Sequence, residues 1–184
     1  MKKYKTAIVV GSLRKESLNR KMAQAFIKLS AENLEAEIVE IGNLPLYNED
    51  LEENVPEAWT TFRNKMNTFD AVLFVTPEYN RSVPGALKNA LDVGSRPYGK
   101  SVWDRRPGAV ISVSPGAIGG FGANHHLRQS LVFLNVPVLQ QPEAYIGKAD
   151  KLFDSNGNIT NDSTTEFLNK FIAAFTNWIA NNQS

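Results

Sequence analysis

The chain contains no cysteine. Disulfides, thiolate nucleophiles and zinc–thiolate centres are therefore excluded as sources of stability or chemistry. Histidine is almost as scarce. His125 and His126 are the only two, and neighbours in sequence point in different directions on a helix, so they do not form an i, i+4 metal pair. Charge of one sign is also lacking: 20 Lys and Arg against 19 Asp and Glu leave a net charge of +1. So weak a field argues against nucleic acid or an anionic membrane as the main partner. No apolar run approaches the roughly 20 residues that span a bilayer. Met1-Lys2-Lys3-Tyr4-Lys5 is basic, but the apolar run behind it, Ala7 to Val10, is too short for a signal peptide. The expectation is a cytoplasmic protein without a metal site. Asp154 to Thr160 looks superficially like a calcium loop, yet it has no glycine at its sixth place and no closing glutamate, and reads as a turn.

What is present is ordinary globular composition, 42% hydrophobic and 21% charged. A chain of 184 residues is long enough for one domain that buries roughly 70% of its unfolded surface. No linker, repeat or low-complexity tract divides it, so residues 1–184 are expected to form a single domain. Short apolar runs at Thr6–Val10, Ala71–Val75 and Ala109–Ser114 read as buried strands. Ala36–Ile41 alternates apolar and charged residues and reads as a strand nearer an edge, and Val136–Leu139 as the start of a fifth. Helices are expected from Leu18, over Pro56–Thr68, over Pro84–Ser95 with Ser82 as a capping oxygen, and over Asn124–Leu134. The clearest amphipathic stripe is Phe167, Leu168, Phe171, Ile172, Phe175, Trp178 and Ile179. Residues 96–106, with four basic side chains and no periodicity, read as an exposed loop. Strands alternating with helices imply an α/β fold with a parallel sheet covered on both faces. Five strands suggest the flavodoxin-like three-layer sandwich in order 2-1-3-4-5.

In that fold the loops after strands one, three and four open on one crevice. Gly11-Ser12-Leu13-Arg14-Lys15-Glu16-Ser17-Leu18-Asn19 leads into a helix N-terminus, where free N–H groups and the helix dipole favour an anion. Ser12, Ser17 and Asn19 add neutral donors, and Arg14 a planar fork suited to phosphate. It is neither a P-loop nor the dinucleotide fingerprint, having one glycine and no Gly-Lys-Ser/Thr ending. Glu16 fits only if it points outward. Pro77, Glu78, Tyr79 and Asn80 form the second loop. Pro115-Gly116-Ala117-Ile118-Gly119-Gly120 form the third, where small residues let backbone approach a flat ligand. A phosphate at one end and a planar heteroaromatic at the other describe FMN.

These residues, with Ser82, Pro84-Gly85 and Leu87-Lys88-Asn89-Ala90, resemble the NADPH-dependent FMN reductase family, and within it the bacterial chromate, quinone and azo-dye reductases. The resemblance spans about residues 5 to 147. It implies that Ser12, Arg14, Ser17 and Asn19 hold the FMN phosphate. Pro77, Glu78, Tyr79 and Asn80 are implied to flank the ring and ribityl chain, and Ser114, Gly116 and Gly119 to lie along the ring's polar edge. It also implies NADPH or NADH as electron donor and a homodimer or homotetramer. The expected activity is ping-pong hydride transfer through flavin N5 to a quinone, azo dye, chromate or free flavin, with no catalytic acid–base side chain. The alternative from another class is a flavodoxin-type electron carrier, which does not itself oxidise NAD(P)H; such carriers are usually strongly acidic, unlike this chain.

Overall fold

The computed structural model describes residues 3–183. Five strands form one parallel sheet in the order β2-β1-β3-β4-β5. The three central strands, β1 (Tyr4–Val10), β3 (Ala71–Thr76) and β4 (Gly108–Val113), are buried almost throughout. Helices cover both faces, so these strands read as unbroken apolar runs rather than alternations. β2 (Leu34–Val39) lies at one edge and turns Glu35 and Glu37 to solvent. It begins two residues earlier than its charge alternation suggests.

Helices α1 (Leu18–Ser30) and α5 (Asp162–Asn182) bury Met22, Phe26, Leu168, Phe171 and Phe175 against one face of the sheet. Helices α2 (Glu57–Met66), α3 (Gly85–Gly94) and α4 (Phe121–Phe133) bury Trp59, Phe62, Leu87, Leu91, Leu127 and Leu131 against the other. The flavodoxin-like winding and its two-sided core are as the periodicity implies.

Three local expectations are corrected. Ser82 does not cap α3: Pro84 holds the N-cap position without a side-chain bond, and the Ser82 hydroxyl meets His126 Nδ1 at 3.0 Å. Residues 96–106 are not simply an exposed loop. Val102 and Trp103 are buried, and the Trp103 indole donates to the Leu91 carbonyl at 2.9 Å, which anchors the segment beneath α3. Arg106 follows it inward, donating to the carbonyls of Val102 and Phe69. Burial pushes its pKa below the ordinary arginine range, against the opposing pull of Asp70. The fifth strand is not at Val136–Leu139. That segment makes one bridge, Val138 to Gly108, and then leaves the sheet; β5 is Ala144–Ile146, paired with the far half of β4. Pro137 and Pro142 cannot donate to a ladder, so continuous pairing through this stretch is not available.

Candidate cofactor site

The loops that follow β1, β3 and β4 touch one another at the carboxyl rim of the sheet. A methyl group on Gly11 would lie 3.3 Å from Pro77 Cδ. Asn19 Nδ2 reaches the Val113 carbonyl at 3.4 Å. Glu78 Oε2 accepts from the Ala123 N–H at 3.1 Å, which joins the second loop to the helix that follows the third.

The first loop has few internal bonds. Gly11 N–H still pairs with Val75, but none of the N–H groups from Ser12 to Asn19 finds an acceptor among the described residues. Ser17 is the N-cap of α1, its Oγ accepting from Arg20 N–H at 3.2 Å while its own proton stays available. Ser12, Ser17 and Asn19 are buried. Asn19 Oδ1 is buried without a partner, an arrangement that is costly unless a ligand or water supplies a donor. Arg14 is exposed and has no ion pair among the described residues. Glu16 turns away to Lys21 at 3.5 Å, as an anion site requires.

The second loop is built the opposite way. Tyr79 and Ser82 exchange both backbone hydrogen bonds at 3.0 Å, closing a tight turn over Asn80 and Arg81, both left-handed with φ of 51° and 64°. That is a type I′ turn. Glu78, expected at the ligand, directs its carboxylate to Ala123 N–H and to Arg81 Nη1 at 3.2 Å. Tyr79 stands 52% exposed at the rim.

In the third loop the Ser114 hydroxyl accepts from Gly116 N–H at 3.1 Å, and Gly119 N–H bonds the Gly116 carbonyl. Pro115 has no N–H, so Ala117, Ile118 and Gly120 are the donors left without an acceptor among the described residues. Gly119 is left-handed, with φ of 60°, and a methyl there would lie 2.5 Å from the Tyr145 carbonyl carbon. The loop therefore sits directly on β5.

Sequence reasoning missed two residues of this region. Asn124 is fully buried, donating to Ser112 Oγ (3.2 Å) and Ala144 O (3.3 Å) and accepting from Arg128 Nε (2.9 Å), so it pins α4 to β4 and β5. Its signal was legible: a polar residue continuing the Leu127–Leu131 stripe. Arg81 is the other, and its left-handed backbone has no signature in composition. The two histidines diverge as adjacent helical residues must, His126 to Ser82 and His125 to the Tyr145 hydroxyl at 2.9 Å. Burial, aided by Glu143, pushes the Tyr145 phenol up to about 12, so at neutral pH it stays protonated.

Both nearby carboxylates are engaged, Glu16 with Lys21 and Glu78 with Ala123 and Arg81. The rim offers unpaired N–H donors in the first and third loops together with the half-exposed Tyr79 ring. Residues 4–151 match the family described as NADPH-dependent FMN reductase. The chain is 62% identical to a quinone reductase of Pseudomonas putida, over 98% of this chain and 97% of that one. It is 44% identical to a 2-hydroxy-1,4-benzoquinone reductase of a Burkholderia species, over 95% and 96% of the two chains. Among solved structures it is similar to FerB, a flavoenzyme NAD(P)H:(acceptor) oxidoreductase from Paracoccus denitrificans, with a TM-score of 0.93 and 41% identity over 98% of this chain and 100% of that one.

Proposed function

The chain belongs to the NADPH-dependent FMN reductase family and is an oxidoreductase, and we propose that it carries electrons from NADPH or NADH through FMN to quinones. One observation carries the reading most directly. The unbonded N–H groups from Ser12 to Asn19 gather at the N-terminus of α1, beside Arg14 and under the same rim as the Tyr79 shelf. FMN fits this donor set. When bound it supplies the hydride acceptance and electron release that no side chain here offers.

The protein's share is positioning. Arg14, Ser12 and the Ser17 hydroxyl proton take the phosphate, in a loop whose helix dipole favours negative charge. Asn19 Oδ1 is an acceptor, so it suits a ribityl hydroxyl rather than a phosphate oxygen. Pro77, Tyr79 and Asn80 flank the ring; Glu78 contributes through its backbone, because its carboxylate is engaged with Ala123. Ser114 and Gly116 shape the third loop, Gly119 seats it on β5, and the N–H groups of Ala117, Ile118 and Gly120 would be the donors for the ring's carbonyl edge.

Donor and acceptor that used the same face of the bound flavin in turn would give ping-pong kinetics, with azo compounds, chromate and free flavin as further proposed acceptors. A groove of about 720 Å³ between α3 and α4, with Phe133 89% exposed beside it, supports a homodimer or homotetramer built on that face. The cytoplasm, where reduced nicotinamide is regenerated, is the expected compartment. The purified protein should take up FMN, turn yellow, and oxidise NADPH when a quinone is added, with parallel lines in double-reciprocal initial-rate plots. A protein that binds no FMN, or leaves NADPH untouched with the quinone present, overturns the reading.

A further inference from the structure

Arg81 holds a backbone conformation that suits it poorly. It is the second central residue of the Tyr79–Ser82 turn, with φ of 64°, a place where a type I′ turn favours glycine. A side chain kept in left-handed backbone at the rim of a site points to a use for that side chain. The surroundings enforce the geometry. The Glu78 side chain, 11% exposed, bonds Ala123 N–H with one oxygen and Arg81 with the other. A methyl on Gly122 would lie 2.9 Å from the Arg81 carbonyl, so the turn is fastened to the start of α4. The Arg81 side chain itself is 74% exposed. Its guanidinium stands out from the rim, oriented by one bond to a fixed carboxylate, with no other side-chain hydrogen bond among the described residues. Part of the Glu78 charge is offset by the N-terminus of α4, so the pair keeps a positive outer face. Residues 77–83 and 114–120 contain no other Lys or Arg; Arg14 and Lys15 belong to the phosphate end.

We propose that Arg81 receives the phosphates of the dinucleotide electron donor and thereby determines donor preference. The inference rests on the NAD(P)H-dependent reading above. A quinone is small and uncharged, whereas the donor carries a pyrophosphate, and NADPH a further phosphate, that must lie beyond the ring its nicotinamide covers. A planar guanidinium meets phosphate with two parallel hydrogen bonds.

The test compares wild type, Arg81→Gly and Arg81→Lys as FMN-loaded proteins. The donors are NADPH and N-benzyl-1,4-dihydronicotinamide, which has the same reactive ring and no phosphate. Loss of Arg81 to glycine lowers the ratio of kcat/KM for NADPH to that for the phosphate-free donor about tenfold, through KM, as expected for one charge-assisted contact. Calorimetric binding of NADP+ weakens by a similar factor, and the salt dependence of the NADPH KM flattens. Lysine gives an intermediate ratio. Because glycine is at ease at this φ, the variant keeps its fold, checked by a melting temperature no lower than wild type. A donor ratio within twofold of wild type in Arg81→Gly overturns the proposal. A wild-type protein that oxidises neither donor overturns the underlying functional reading instead.

Discussion

The loop after β1 leaves its N–H groups from Ser12 to Asn19 without acceptors, whereas the loop after β3 bonds Tyr79 to Ser82 twice and ties Glu78 to both Arg81 and Ala123. The two meet at the carboxyl rim of the sheet, where a methyl on Gly11 would lie 3.3 Å from Pro77 Cδ. Donors facing water cost little while they are hydrated, and they strengthen when a ligand displaces that water. In the proposed reading the loop after β1 is thus a place where affinity is stored and stability is nearly silent. A turn closed by the Tyr79–Ser82 pair and fastened to α4 through Glu78 holds its shape before anything binds, so damage there shows first in stability.

Substitutions at four positions break or sharpen this contrast, the largest effect coming from the third loop. Gly119→Val places a branched side chain 2.5 Å from the Tyr145 backbone at a left-handed φ; a loss of about 3 kcal/mol is expected in urea unfolding of the FMN-free protein. Arg14→Ala should weaken FMN binding about tenfold to hundredfold by fluorescence titration, with the FMN-free melting temperature unmoved, since the side chain has no partner to lose. Glu78→Ala leaves Ala123 N–H without its acceptor and should cost about 1–2 kcal/mol of FMN-free stability. Glu78→Gln, which keeps an acceptor oxygen, should recover most of that, and both should change FMN affinity less than Arg14→Ala does. Ser17→Ala joins the two behaviours, because the hydroxyl that caps α1 is also proposed to meet the anion. About 1 kcal/mol of stability should go with the cap, together with a fewfold loss of FMN affinity. If Arg14→Ala destabilised the FMN-free protein as much as Gly119→Val, the contrast would fail.

Much of this was legible in the residues. The apolar runs at Ala71–Thr76 and Gly108–Val113 announce central strands because both faces of each are buried, and the Glu35 and Glu37 alternation announces an edge. The donor-rich turn before α1 was legible because helix N-termini expose donors whatever the rest of the fold does. What misled was local composition. The basic segment 96–106 hides Trp103, whose partner Leu91 lies on another element. Ser82 looks like a cap because it precedes Pro84, yet the I′ turn aims it at His126. Glu78 stands in the loop expected at the ligand, and nothing nearby in sequence shows that α4 claims its carboxylate.

Alone, the amino-acid order determined the winding of the sheet, the crevice at its carboxyl rim and the donor-rich turn before α1. Each of these follows from burial periodicity and from backbone chemistry acting over a few neighbouring residues. Only the folded molecule decided which polar side chains face the crevice and which are engaged elsewhere. Glu78 meets Ala123, His126 meets Ser82 and Asn19 meets Val113 across stretches of chain far longer than any local pattern. Such pairings are chosen by how whole layers pack, since a buried polar atom must take whichever partner the packing brings within reach.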